Sequence, residues 1–335
     1  MKPIFTFNQY DRLAIVNALS TNPHNPYTEY HAFKDYVSSL VATTNLPASL
    51  CQTVESVKQQ REEGIHVHVL ANCPIDQELP ELDLDNPVES KYEAKHTFIS
   101  EGFMELMSQL LETPLFSYQA RNNGDFFTDL VSFNKFKGKK TGFTGGDLIY
   151  HSDRSYHSVR ADYVSLLGLH VPNEQLIYTN YIDVKSLKQH LDAESIDALS
   201  KPVFQTEVDD RSKEANSAWK SSTVHPILLK NDRIRYQDTF TKPLDPDDFY
   251  SIKALLALKH AMSKADKLRH MVKQKELLIF GNQTGIHNRE WIDVTDADEG
   301  NKRWLLKTYS FESSHQVPNY SPWATADNTL CIEDK

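Results

Sequence analysis

His151, Ser152 and Asp153 stand together at the end of the segment Asp147-Leu148-Ile149-Tyr150-His151-Ser152-Asp153. A further histidine, His287, lies far downstream in Gln283-Thr284-Gly285-Ile286-His287-Asn288, and Arg303 follows it in Lys302-Arg303-Trp304. Two imidazoles and one carboxylate can occupy one face of a ferrous ion and leave the opposite face open, which is the ligand set of non-haem iron oxygenases. On a strand, His151 and Asp153 would point to one side, because side chains alternate with period two. One short segment would then supply two ligands and a distant strand the third. Taken alone, His-x-Asp is also what a polar strand face looks like, and the downstream partners are what favour a metal.

The elements that must carry these residues are legible from periodicity. The first 60 residues read as helical, with a helix from about Leu46 to Arg61 that ends before Gly64. Gly64 to Leu70 alternates like a strand; His66 and His68 share a face there but have no third ligand nearby, so they read as strand residues. An acid- and proline-rich loop spans Pro74 to Pro87. Phe98 to Leu111 is an amphipathic helix. From Phe116 the chain is β-like past Val184, most clearly over 162–169 and 175–182. A helix is expected over 184–199. Residues 201–223 are polar and poor in apolar pattern, which suggests a mobile lid excursion. A long helix is expected from Asp247 to about Val272, and strands over 276–280, 284–288 and 303–309. The expected fold is mainly β with flanking helices, a double-stranded β-helix or jelly roll. It would form one domain over 1–335, with a helical part at 1–60 and the core at 61–200 and 224–335. No glycine-rich phosphate loop follows any strand, which argues against a dinucleotide fold.

The chain has 335 residues, 39% hydrophobic and 24% charged, with a net charge of −10. That acidity argues against a nucleic-acid partner, and the short basic run Lys135 to Lys140 reads as a solvated loop. No run of about 18 apolar residues suggests a membrane span, and Met1 to Phe7 lacks the features of a signal peptide. Cys51, Cys73 and Cys331 are scattered and odd in number, so neither a disulfide framework nor a zinc pattern is expected. A cytoplasmic location suits free thiols and Fe(II) alike.

These motifs together resemble the clavaminate synthase-like Fe(II)/2-oxoglutarate dioxygenases, a group that includes bacterial hydroxylases of free arginine, asparagine and lysine. The resemblance runs from about Gly64 to Tyr309. It is carried by Cys73-Pro74, by Leu111-Glu112-Thr113-Pro114, by His151 to His157, by Arg160-Ala161-Asp162-Tyr163, by His287 and by Arg303 to Lys307. Many relatives carry glutamate where this chain has Asp153; either carboxylate binds iron. A related halogenase is disfavoured, since those enzymes lack that carboxylate. The resemblance implies that His151, Asp153 and His287 hold Fe(II). It further implies that 2-oxoglutarate and O2 are converted to succinate and CO2 while an unactivated C–H is hydroxylated. It also implies that Arg303 and Thr179 bind the far carboxylate of 2-oxoglutarate. Arg303 lies sixteen residues after His287, slightly further than usual, so an insertion within 296–300 is assumed. A guanidinium fork and a hydroxyl suit a buried carboxylate. A second family arginine near the cosubstrate is replaced here by Lys307, which keeps the charge and loses the fork; Arg289 is a candidate to compensate.

For the substrate, the resemblance points to Gln119 and to the loop around Thr144 for the α-amino and carboxylate groups, with Arg121 as an alternative for the carboxylate. Arginine hydroxylases grip the guanidinium with two aspartates one residue apart. In Arg235-Tyr236-Gln237-Asp238-Thr239-Phe240 this reading retains Asp238 and places Phe240 at the second position. One carboxylate beside an aromatic ring suits a compact ammonium. Free L-lysine is therefore expected ahead of L-arginine, with C4 ahead of C3 as the site of hydroxylation on resemblance alone. The alternatives are another substrate for the same chemistry and a non-enzymatic jelly-roll protein that keeps a metal site. The oligomeric state, a homodimer included, is left open.

Overall fold

The computed structural model describes residues 1–43, 46–136, 146–172, 175–294, 297–326 and 330–334. In chain order it contains β1 (Phe5–Thr6), α1 (Gln9–Leu19), α2 (Tyr30–Thr43), α3 (Ala48–Glu62), β2 (Val67–Ala71), α4 (Pro87–Ala94) and α5 (Ile99–Leu110). There follow β3 (Leu115–Tyr118), β4 (Thr128–Leu130), β5 (Leu148–His151), β6 (Tyr163–His170), β7 (Gln175–Asp183), α6 (Val184–Lys188), α7 (Ala193–Leu199), β8 (Phe204–Thr206) and α8 (Asp210–Ala215). The remainder is β9 (Leu228–Leu229), β10 (Arg233–Ile234), β11 (Thr241–Pro243), α9 (Phe249–Lys264), β12 (Leu268–His270), β13 (Leu277–Gly281), β14 (Gly285–Val294), α10 (Ala297–Asn301), β15 (Trp304–Ser310) and β16 (Cys331–Ile332).

Two sheets matter for the site. The larger runs β1-β2-β13-β6-β15-β3-β16, with β4 also paired to β15; the smaller runs β12-β7-β14-β5. Every residue of β15 is buried, because both of its faces are covered. Leu305, Lys307 and Tyr309 point into a cavity between the sheets. Thr308 and Ser310, one position out of phase, lie with Met104, Met107 and Leu111 of the α5 layer. The same alternation sends Val164 and Leu166 of β6 and Phe280 of β13 to the cavity. The smaller sheet packs its outer face, including Ile182 and Ile286, against Leu187, Leu199, Leu258 and Met262 of the following helices. The chain is thus mainly sheet with flanking helices. Among the described residues, no helix is long and apolar enough to cross a membrane.

α5 is buried all round, two carboxylates included. Glu101 accepts from Tyr27 at 2.5 Å and from Lys95 at 2.8 Å, and Glu105 accepts from Tyr30 at 3.0 Å. Fully satisfied in this way, they let a polar-patterned helix enter the interior. Two expectations need correcting. Residues 184–199 form two helices, because Asp192 caps a new start through the Ser195 N–H at 2.7 Å. The loop from Pro74 leads into α4, which the sequence reading leaves out; its inward face is Val88 and the fully buried Lys91, the latter paired with Asp129 at 2.7 Å. Residues 201–223 hold β8, paired antiparallel to β11, and α8, and Val208 is completely buried.

Candidate metal centre and anion cavity

β5 and β14 are antiparallel neighbours, and their register sets His151 directly against His287. The rings are 4.3 Å apart between centroids. β14 leaves the β13 hairpin at Gly285, where a Cβ would lie 2.3 Å from the Tyr181 ring, so only glycine lets the strand enter at this depth. Asp153 does not share a strand with His151 as the period-two argument assumes. β5 ends at His151, and Asp153 sits in the turn that follows, just before Arg154 at φ +58°. What fixes Asp153 is the fully buried Asn282 in the hairpin before β14. Its Oδ1 accepts the Asp153 N–H at 2.6 Å, and its amide donates to the carbonyls of Asp153 at 3.2 Å and Ala161 at 3.0 Å. The hairpin that launches one ligand strand therefore clamps the carboxylate ligand as well.

The three ligand atoms lie within 4.8 Å of one another, with Asp153 Oδ1 3.4 Å from His151 Nε2 and 3.9 Å from His287 Nε2. Cis ligands about 2.1 Å from an ion sit roughly 3 Å apart, so a slight contraction would close the set on a metal. Protonation suits this. His151 donates its Nδ1–H to the Ile149 carbonyl at 2.7 Å, which turns Nε2 toward Asp153. Burial, then the neighbouring His151, holds His287 far below the usual histidine range and neutral. Burial alone would raise Asp153, but the Lys307 ammonium outweighs it, with His151 and His287 adding to the effect, and the carboxyl is held well below its usual range. Lys307 and Asp153 form a short ion pair. Two imidazoles and one carboxylate fit a hard-to-borderline divalent cation.

The cavity beside this cluster has a volume of about 180 Å³. Its walls carry Arg121, Arg154, Arg289, Arg303 and Lys307 against two carboxylates, Asp153 and Asp209. This is the reverse of the protein's overall charge. Arg303 enters β15 beside Thr179 of β7, whose register partner on β14 is Arg289. Burial, then Arg289, pushes Arg303 down to about 9, and among the described residues no carboxylate offsets it. Arg289 donates to the Gly146 carbonyl at 2.7 Å and is pushed down to about 10 by burial, partly offset by Asp147. A guanidinium stays cationic at neutral pH. Two crowded guanidiniums and a hydroxyl are therefore a place where a dianion relieves repulsion.

Of the residues expected from sequence, His151, Asp153, His287, Thr179, Arg303, Lys307, Arg121 and Phe240 line this cavity. Gln119 does not; it is exposed and contributes only its backbone N–H, to Ile332. Thr144 lies outside the described residues. Asp238 is also turned away. It takes the Lys259 ammonium of α9 in a short ion pair, and accepts from the Tyr236 hydroxyl and the Thr239 N–H, each at 2.9 Å. The segment 235–240 is no regular strand, and Thr239 at φ +67° redirects it. Gln237 faces the cavity instead. Sequence reading assigns no site role to Asn282, Arg154, Tyr156, Gln237 or Phe280, and raises Asp209 only within the acidic stretch 207–210, as part of a lid over a cationic substrate. Only Asn282, in a Gly-Asn-Gln-Thr-Gly hairpin, carries a local signal.

No family model and no curated protein matches the sequence. The fold, however, is that of solved non-haem iron oxygenases. An asparagine oxygenase in complex with Fe(II), 2S,3S-3-hydroxyasparagine and succinate superposes with a TM-score of 0.79 at 19% identity, over 98% of each chain. The non-haem iron oxygenase OrfP in complex with Fe and alpha-ketoglutaric acid gives 0.75 at 18% identity, over 98% of this chain and 99% of that one. OrfP in complex with Fe, succinate and (3S)-hydroxy-L-Arg gives 0.76 at 18%, over 99% and 100%. At these identities the likeness is one of fold.

Proposed function

We propose that this protein is an Fe(II)/2-oxoglutarate-dependent dioxygenase, a single jelly-roll domain of the cytoplasm, that hydroxylates an unactivated C–H of a free amino acid. The observation that carries the reading is the conjunction of a His-Asp-His donor cluster with a row of cationic side chains, Arg303 and Lys307 among them, in one cavity. Fe(II) held by His151, Asp153 and His287, with 2-oxoglutarate and O2, would supply the oxidising power for C–H hydroxylation and release succinate and CO2. The protein's part is placement. Arg303 and Thr179 would take the distal carboxylate of 2-oxoglutarate, and Lys307, held by Asp153, would lie near its other end. Phe280, whose ring is 4.6 Å from that of His287, packs apolar surface against the ligand and keeps water from its inner side. Arg121 would receive the amino-acid carboxylate, and Phe240 and Gln237 would face the substrate side chain.

Within this reading L-lysine, with C4 ahead of C3, is the first substrate to assay and L-arginine the second. One observation favours an amino acid with an uncharged side chain instead. Among the described residues, each carboxylate lining the cavity is engaged: Asp153 in the metal cluster, Asp209 with Arg121 and Tyr156. A lysine ammonium would have to take Asp209 from Arg121, whereas an amide such as that of asparagine could meet Gln237 directly. The test is succinate release with Fe(II), ascorbate and 2-oxoglutarate across the twenty amino acids. A response to none of them above the substrate-free rate would overturn the hydroxylase reading and favour a metal-binding protein without catalysis.

A further inference from the structure

Asp334 is buried and reaches three separate stretches of chain. Its carboxylate accepts the Ala120 N–H at 2.9 Å, takes the Arg154 guanidinium in a short ion pair, and accepts the Ser212 hydroxyl at 3.4 Å. Its own carbonyl accepts the Asn216 amide at 3.2 Å. Arg154, stacked 4.1 Å over the Tyr118 ring, also donates to the Tyr156 hydroxyl at 2.7 Å and to Ser212 Oγ at 2.8 Å. Tyr156 and Arg121 both donate to Asp209, whose other oxygen caps α8 through the Ser212 N–H at 2.8 Å. The contacts close on themselves. Asp334 holds Arg154, Arg154 holds Tyr156, Tyr156 and Arg121 hold Asp209, and Arg121 follows the Ala120 that Asp334 holds. Four members of this ring, Arg121, Arg154, Tyr156 and Asp209, line the cavity. Asp334 itself stands behind them.

We propose that Asp334 is a positioning residue, which through this ring holds residues 207–216 against the cavity wall and sets where Arg121 and Arg154 point. The inference rests on the dioxygenase reading only for its catalytic consequence. Two carboxylates balance two guanidiniums in a buried network, so the ring is neutral as it stands. Neutralising Asp334 leaves Arg154 short of an anion, and the next carboxylate within its network is Asp209. Arg154 then competes with Arg121 for Asp209. The α8 segment loses its tie to the tail, and Arg121 is freed into the cavity. The segment that looks like a loose excursion in the sequence is thus tied down by a residue 118 positions beyond Asn216.

The experiment is hydrogen–deuterium exchange on the full chain, wild type against Asp334→Asn, without ligands. Expected is exchange at least about tenfold faster at amides over 208–216, with β6 and β15 unchanged. Asp334→Glu should restore part of the protection, and Tyr156→Phe, which cuts the ring on its other side, should reproduce the pattern if Asp334→Asn fails to fold. Unchanged exchange over 208–216, or equal acceleration in β6 and β15, overturns the proposal. In the kinetic arm, the KM of the amino acid giving most succinate should rise about fivefold or more, with Fe(II) stoichiometry and the 2-oxoglutarate KM unchanged. A local exchange effect in a protein that releases no succinate with any amino acid would refute the dioxygenase reading and leave the latch standing.

Discussion

Replacing Arg303 with glutamine tests the anion cavity at its most exposed assumption. The side chain lines the cavity with Thr179, Arg289 lowers its proton affinity, and no carboxylate among the described residues offsets that. A hydrogen bond to a charged group contributes roughly 1.5–3 kcal/mol. Arg303 is only half-buried and Arg289 keeps part of the positive field, so the lower half of that range applies, about 1.5–2 kcal/mol. At 1.4 kcal/mol per factor of ten, the 2-oxoglutarate requirement should rise about 10- to 30-fold. Thr179→Val removes one neutral donor, worth about 1 kcal/mol, and should raise it about fivefold. The assay is succinate release against 2-oxoglutarate concentration at fixed Fe(II) and amino acid, with Fe(II) affinity and the amino-acid KM measured beside it. If Arg303→Gln moves all three constants by the same factor, the arginine is a structural part of β15 and the anion argument fails.

Three further outcomes follow from named contacts. His287→Ala should abolish amino-acid-dependent succinate release and reduce bound Fe(II) well below one per chain, with circular dichroism unchanged; full iron stoichiometry would remove His287 from the ligand set. Asp238→Asn should leave the KM and kcat for the preferred amino acid within about twofold, because the pair it loses with Lys259 is partly exposed and worth no more than about 1 kcal/mol; a selective loss of lysine turnover would show that Asp238 reaches the substrate after all. His225 is buried and neutral, donating to the Pro226 carbonyl and accepting from Thr206, and burial pulls it down to about 3. The unfolded chain takes up that proton near pH 6.5, so between about 3 and 6.5 the unfolded state binds more protons and stability falls as pH drops. In urea unfolding, His225→Gln should flatten the slope of stability between pH 6 and 4 by about 1.4 kcal/mol per pH unit; an unchanged slope would mean His225 is charged in the folded state.

Most elements were legible because apolar periodicity is a local signal, and the candidate donors His151, Asp153 and His287 because their residue types stand out, although only the fold shows that they converge. The helix at 98–111 and the strand at 162–169 differ from α5 and β6 by one or two residues at each end, since apolar periodicity reports burial directly. α4 is invisible to that pattern because its inward face includes a lysine, paired with Asp125 and Asp129 some 35 residues on and lying over the Tyr27 ring. Asp238 rested on the resemblance to arginine hydroxylases alone, and resemblance does not report that the segment turns at Thr239 and hands the carboxylate to Lys259. The ring of Arg121, Arg154, Tyr156, Asp209 and Asp334 could not be read at all. Arg121 was singled out only as a substrate contact, and only the fold brings position 334 to position 154.

The Asn282 clamp bears on how the protein is made. His151 and His287 are 136 residues apart in sequence, and the hairpin at 281–285 both aims His287 and seats Asp153. Contacts of such long sequence separation form late, because the intervening loop must close before they return any free energy. A nascent chain that has not yet paired β14 with β5 holds at most His151 and an unanchored Asp153. On the proposed reading, Fe(II) would meet an incomplete donor set in such a chain. Metal uptake should coincide with closure of the smaller sheet, and the rate at which refolding protein acquires Fe(II) should report that last step and no earlier one.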